Sequence, residues 1–282
     1  MRKLLLGCVV VAVSVLVLAG CEKTADLTEP PWSDESEIGQ IIGELLWFQA
    51  TGYYGQEDTT TTVASPIIPI YWWRELEGDP PFSLNIQMNS ERDSAFVTVA
   101  LDISGTLHII ALVDTVIQAV DKPLNDNPIR YAIFLKDTVE SYHHGWRLYK
   151  ISGVWVTSDA RSVRIDSVRI RSDTYQDTVM SDSLALFLLD EVFTFTQGEG
   201  VSLWVYANDD TAEVYFHSWR LPNWHRWRFS NEGGGVYFGV WSTPVEAGIY
   251  HSAFDILQHE TLWDSAYPYD SNVWLLPYRV VE

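Results

Sequence analysis

The chain has 282 residues, 47% apolar and 20% charged, with 38 acidic against 18 basic side chains. An apolar fraction near one half excludes a disordered tail and allows a sizeable core. The acidic excess repels nucleic-acid phosphate, which excludes nucleic acid as a partner, and two cysteines are too few for a disulfide-stapled scaffold or a Cys-rich zinc site.

Arg2 and Lys3 precede Leu4 to Leu18, a run without charge, and the sequence Leu18-Ala19-Gly20-Cys21 ends it. This pattern resembles the lipobox of bacterial lipoprotein signal peptides, in which small residues let a peptidase approach the backbone. The resemblance implies that residues 1–20 are removed as a signal peptide. It also implies that Cys21 becomes the first residue of the mature chain and carries the lipid (palmitate among its acyl chains). The membrane is then a partner through that anchor. Localisation follows as the cell envelope, and Glu22 after the cysteine favours the outer membrane or cell surface. A transmembrane anchor is the alternative, but the uncharged run reaches only about 17 residues, at the bottom of the spanning range. Cys8 leaves with the signal and Cys21 is acylated, so the mature chain has no thiol and depends on packing. Without Arg2 and Lys3, 16 basic residues face 38 acidic ones, a net charge of −22. Residues 21–32, polar with two prolines, read as a tether. The remainder is long enough for one to two domains at roughly 150 residues each.

The spacing of Ile38, Ile41, Ile42, Leu45 and Leu46 predicts one helix, with Asp34 and Glu37 as a capping box. Gly39 and Gly43 lie on another of its faces. From Phe96 the period becomes two: Val97, Val99, Leu101 and Ile103 alternate with polar residues, Gly105 marks a turn, and Leu107, Ile109, Ala111 and Val113 alternate again. Ile129–Lys136 and Trp146–Ile151 are two further strands, joined by a polar segment. A leading helix followed by an antiparallel meander is an α+β pattern. Ser94-Ala95-Phe96-Val97-Thr98-Val99, Arg130-Tyr131-Ala132-Ile133-Phe134-Leu135 and Gly145-Trp146-Arg147-Leu148 resemble the closing strands of the SnoaL-like (nuclear-transport-factor-two-like) fold. That resemblance covers residues 33–152 and implies a curved sheet wrapped around the helix as a cone. Such cones serve isomerases, hydrolases, ligand binders and dimerisers alike. Thr51–Pro81, rich in Thr and Pro, departs from the family.

From Val154 helical periodicity does not return. Val163-Arg164-Ile165 and Val168-Arg169-Ile170 alternate with a slip of one, as a bulge gives. Val201–Ala207, Glu213–Trp219, Trp227–Ser230, Val236–Ser242, Ile249–Leu257 and Val273–Val281 complete a run of short strands, the pattern of a sandwich. The glycine hairpin Asn231–Trp241 and the segment Ala247–Ala253 resemble immunoglobulin-like modules of bacterial surface proteins. Tyr250 stands where a tyrosine corner ties strand to loop. This resemblance covers residues 153–282. The fold class expected is therefore mainly β, with an α+β cone-like domain followed by an immunoglobulin-like β-sandwich.

Two groups of residues are candidates for chemistry. His108 shares a strand face with Ile110 and Leu112; paired with Asp102 or Asp114 it has the makings of a general base, the alternative being a hydrogen-bonded core histidine. In the window from His217 to Arg228, Trp219, Arg220, Trp224, His225, Arg226 and Trp227 combine flat aromatic faces with guanidinium donors. That combination suits a glycan or another protein's surface, with Trp224 at a loop tip; the alternative is a structural hairpin. His143-His144 lie between strands and are expected at the surface. Asp264, Asp270 and Asn272 offer oxygen ligands to calcium, or build an Asx-rich turn. No other metal-ligand spacing, nucleotide loop or catalytic triad is recognisable, so no cofactor or metal is expected. The leading expectation is a lipid-anchored binding module, with a cone-pocket hydrolase or isomerase and a carbohydrate binder as alternatives.

Overall fold

The computed structural model describes residues 32–48, 67–80, 82–137, 142–220 and 223–282. Helix α1 spans Asp34–Glu44, and a 3-10 turn follows at Leu46–Phe48. The strands are β1 (Ile68–Leu76), β2 (Phe82–Met88), β3 (Ser94–Leu101), β4 (Ile103–Val113), β5 (Val116–Lys136), β6 (Trp146–Ser158), β7 (Ile165–Arg171), β8 (Thr178–Met180), β9 (Phe187–Leu188), β10 (Thr194–Thr196), β11 (Gly200–Ala207), β12 (Glu213–Arg220), β13 (Asn223–Arg228), β14 (Ser230–Gly233), β15 (Val236–Ser242), β16 (Gly248–Leu257) and β17 (Ser271–Val281). A short helix, α2 (His259–Trp263), lies between the last two. The protein is mainly β.

The period-two alternation produces the longest hairpin. β3 and β4 form one run interrupted at Asp102, and β5 lies antiparallel to both. Its turn is Asp114-Thr115, both with positive φ. Gly105, expected at a turn, is instead in mid-strand opposite Leu76. β1 passes so close there that a Cβ on Gly105 would sit 2.2 Å from the Glu75 carbonyl oxygen. Prolines 123 and 128, which hid the length of β5 in the sequence, fall where one edge is unpaired. Pairing with β6 starts only at Asp126, and pairing with β4 stops at Asp126 before β3 resumes at Ile129. A missing N–H is tolerated at such an edge.

Twelve strands join in one sheet of order β1-β4-β5-β6-β17-β16-β12-β13, with β3 and β2 beside β5, β9 beside β6 and β10 beside β17. Its described ladders are antiparallel except β10 with β17. The sheet curls until its two ends meet. Trp72 of β1 packs edge-on against Tyr215 of β12, ring centroids 5.2 Å apart. Arg226 of β13 lies 3.5 Å from the Trp72 ring centre and donates to its carbonyl at 3.0 Å. Leu107, Ile109, Leu124, Tyr215 and Leu257 fill the interior between them, with Leu262 and Trp263 of α2.

The second sheet, β14-β15-β11-β7-β8, covers the outer face of β12, β16 and β17. Val168, Leu203, Val205 and Tyr237 meet Phe216, Phe254, Trp274 and Tyr278 in that core. β16 and β17 are thus walls shared by two cores, which is why they are buried almost along their length. At the other end of the curled sheet, Ile38, Ile41 and Ile42 of α1 pack on Val97, Ala132, Phe134, Leu148 and Ile151.

Several local expectations are corrected. The capping box does not form: Asp34 accepts Lys136 Nζ at 2.6 Å and Trp146 Nε1–H at 2.8 Å, while Glu37 faces His143 at 3.2 Å. Leu46 is exposed, because the helix ends at Glu44 and the 3-10 turn buries Trp47 instead. Beyond residue 154, helical structure returns among the described residues in α2. The boundary expected between residues 152 and 153 falls inside β6, which continues through it. Tyr131 N–H bonds Ser152 Oγ at 2.8 Å in a bulge there. Beyond it, residues 154–157 pair with β5 on one side and β17 on the other. Residues 34–282 form one compact unit. The slip in β7 is present as a bulge, since Tyr206 pairs with Ser167 but Ala207 with Ile165. Tyr250 Oη donates to the Glu246 carbonyl at 3.0 Å, four residues upstream.

Candidate functional site

Alternation turns every even residue of β5 from Lys122 to Phe134 inward, and each is buried. Most are apolar, but Lys122, Asp126 and Arg130 place charge inside the curl. β1 contributes Arg74, two residues from Trp72; β12 contributes His217, two from Tyr215; β16 contributes Asp255, two from Leu257. These form a closed network. Arg74 Nη1 and Nη2 donate to the two Asp255 oxygens at 2.6 and 2.9 Å, and Arg74 Nε donates to Tyr269 Oη at 3.0 Å. Tyr269 donates to Asp126 Oδ2 at 3.0 Å, and His217 Nε2 lies 3.0 Å from Asp255 Oδ2.

Burial opposes every charge in this network, and the partners decide the outcome. Desolvation pushes the His217 imidazole down to about 4, so it is neutral at pH 7 and its Nε2–H donates to Asp255. Desolvation also penalises the Asp255 carboxylate, but Arg74 and His217 outweigh it and hold that group far below the usual range. For Arg74 the same balance runs upward: burial disfavours the cation, and Asp255 more than restores it. Both side chains of the ion pair are fully enclosed.

A second polar group lies toward α1. The Trp47 carbonyl accepts both Arg130 Nη1–H and His251 Nε2–H, the latter at 3.0 Å. Burial and the Arg130 charge push His251 down to about 3. Burial alone pushes Arg130 down to about 9. The Arg130 guanidinium stands 5.8 Å from the Phe48 ring centre. Its Nε and Nη2 are buried without a hydrogen-bond partner among the described residues.

At the surface, a cleft of about 470 Å³ is lined by Glu213, Arg228, Asn231, Tyr237 and His259. The buried Glu213 carboxylate accepts Trp263 Nε1–H at 2.9 Å, with His259 Nδ1 at 3.1 Å and Arg228 Nη2 at 2.5 Å. A second cleft, about 500 Å³, runs along Arg171, Ser172, Asp173, Gln176 and Ser202.

The residues singled out in the sequence are distributed differently. Cys21 lies outside the described residues. His108 faces away from the interior residues Leu107 and Ile109, stacks on Trp73 and bonds Asp121 at 2.7 Å and Glu75 at 3.0 Å. Asp121 is its cross-strand neighbour. Asp102 is an exposed break between strands and Asp114 a hairpin turn residue, so neither is brought to it. Trp219 and Trp224 pair across the β12–β13 hairpin, as do Arg220 and Asn223; Trp224 is therefore in a strand and not at a loop tip. Alternation then divides the window. Arg226 turns into the curl over Trp72, while His225 and Trp227 lie on the other face, Trp227 packing on Phe216 at 6.2 Å. His143, expected at the surface, is largely buried and bridges Glu37 and Glu44. Asp270 and Asn272 act as turn staples. Asp270 takes the Ser162 N–H at 3.2 Å, and Asn272 takes the Ile165 N–H at 3.0 Å. Asp264 Oδ1 caps Ala266 N–H at 2.9 Å. Among the described residues no group of three His, Cys, Asp or Glu is arranged to hold a metal ion, and no helix is long and apolar enough to cross a membrane.

The Arg74–Asp255 pair was not legible in the sequence, since its members are 181 residues apart. The only signal was a charged residue at an inward position of an apolar alternation, beside Trp72 and beside Leu257. No family model, curated protein or solved structure matches the chain.

Proposed function

We propose that the protein is a lipid-anchored binding module outside the cytoplasm, held at the cell envelope through Cys21. The observation that favours a binding module over catalysis by the interior network is the enclosure of its perturbed charges. The side chains of Arg74, Asp255 and His217 are at most 1% exposed, and Asp255 bonds both of the others. An acid–base group must reach a substrate to act on it, so these serve the fold. The anchor rests on the lipobox pattern at Leu18–Cys21. Packing of α1 on the curved sheet supports kinship of the first part with SnoaL-like folds. The two-sheet core and the Tyr250–Glu246 bond support an immunoglobulin-like reading of the second. A glycan or a surface protein is the ligand class we favour at the β12–β13 hairpin, where His225 and Trp227 share a face.

Expression in a bacterium supplied with labelled palmitate tests the anchor. Wild-type chain is expected to take up label and sediment with membranes, and Cys21→Ser to lose both. Label retained by Cys21→Ser, or unprocessed chain still carrying residues 1–20, overturns it.

A further inference from the structure

We propose that Arg130 anchors an interior site for a carboxylate-bearing ligand with an apolar body. Nε–H and Nη2–H lie on one edge of a guanidinium, and that edge matches the two oxygens of a carboxylate side-on. On Arg130 these are the two donors without a partner, while Nη1 is taken by the Trp47 carbonyl. Arg74, another buried arginine of the curl, has its whole fork satisfied by Asp255, Tyr269 and Ser271. Among the described residues no acidic side chain forms an ion pair with Arg130, and an uncompensated charge is among the costliest things to bury. His251, which shares the Trp47 carbonyl with Arg130, is neutral at pH 7 and donates to it, so it neither competes for an anion nor supplies one. Arg279, 5.7 Å from the Trp47 ring centre, adds positive potential. The apolar preference comes from the walls. Phe48, only partly buried, stands over the guanidinium and stacks on Phe134 at 6.3 Å, and Ala132 follows Arg130 on the inward face of β5. Entry of a ligand requires Phe48 to swing away from the guanidinium.

This site is separate from the β12–β13 hairpin; it adds a second ligand class to the binding reading and rests on that reading. The test uses the purified full chain with 3-phenylpropionate as probe, its neutral amide as control, and chloride at equal ionic strength. The readouts are the thermal midpoint and the NMR signal of Arg130 Nε–H. The acid is expected to raise the midpoint with concentration and shift the Nε–H signal; the amide and chloride are not. Arg130→Lys keeps the charge but lacks the fork, and is expected to bind at least about tenfold more weakly. Arg130→Met is expected to lose the response and to have a higher ligand-free midpoint, because it removes an unpaired buried charge. If the Met variant does not fold, the Lys variant decides. Equal responses to acid and amide, equal responses to acid and chloride, a response unchanged in Arg130→Lys, or no response by folded wild-type chain each overturn the proposal. A missing response with Cys21 still lipidated removes the carboxylate site and leaves the anchored module standing; loss of lipid with the response intact does the converse.

Discussion

Replacing Asp255 by Asn probes the interior network at its centre. The carboxylate accepts two N–H groups from Arg74, at 2.6 and 2.9 Å, and one from His217 at 3.0 Å, with both members of the ion pair fully enclosed. Asn keeps the shape, but it has one acceptor oxygen and sets an NH₂ against a neighbouring donor. It also leaves Arg74 charged with its main counter-ion gone. Removing one partner of a buried pair costs about 3–5 kcal/mol, a large share of the roughly 5–15 kcal/mol that holds a domain folded. With a urea slope of about 3 kcal/mol per molar, the unfolding midpoint should fall by about 1 M or more. The charge-free double variant Arg74→Met with Asp255→Leu removes both desolvation costs and should regain most of the loss. Urea unfolding followed by circular dichroism, on the chain lacking residues 1–21, measures all three. A midpoint for Asp255→Asn within about 0.2 M of wild type, at an unchanged slope, refutes the argument.

Acid should destabilise the protein early. His217 and His251 have folded values of about 4 and about 3, below the usual 6.5, so the unfolded chain binds more protons in that window. Their contribution is complete above pH 6.5 and is lost as pH falls from 6.5 through 4 to 3. At about 1.36 kcal/mol per unit, His217 alone accounts for on the order of 3 kcal/mol. A stability flat from pH 7 to 4.5, measured by urea midpoints, contradicts this. Gly105→Ala sets a Cβ against the Glu75 carbonyl and should cost about 2 kcal/mol or more, with faster amide exchange in β1 and β4. Gly43→Ala in α1 meets nothing within 4 Å and should stabilise by up to about 1 kcal/mol; equal effects at the two positions are inconsistent with the packing described.

Much of the fold is written in period. Val97 to Val113 and Val201 to Ala207 alternate as half-buried strands do, and those strands are present. The C-terminal ends of β16 and β17, Leu257 and Val281, are legible in the same way. What sequence reading missed depends on contacts between distant segments. Gly105 has the composition of a turn, but its smallness is used by an approaching backbone. The bulge at Ser152-Gly153 reads like a boundary, because a bulge interrupts alternation just as a linker does. His143 lies in a polar connection yet is held by Glu37 and Glu44 from α1, about a hundred residues away. The candidate site was illegible for the same reason. Arg74, Asp255 and His217 are isolated charges in three different strands, and only the curl of the sheet brings them together.

The account rests on a single sheet whose strands β16 and β17 serve two cores at once. Native-state hydrogen exchange against denaturant tests it most directly, by comparing the slowest amides of β5 and β6 with those of β11 and β15. The account predicts that both sets open with the same free energy and the same denaturant slope, in one cooperative event. Two separate opening energies, one for each core, with β16 and β17 protected while either core is open, would contradict it.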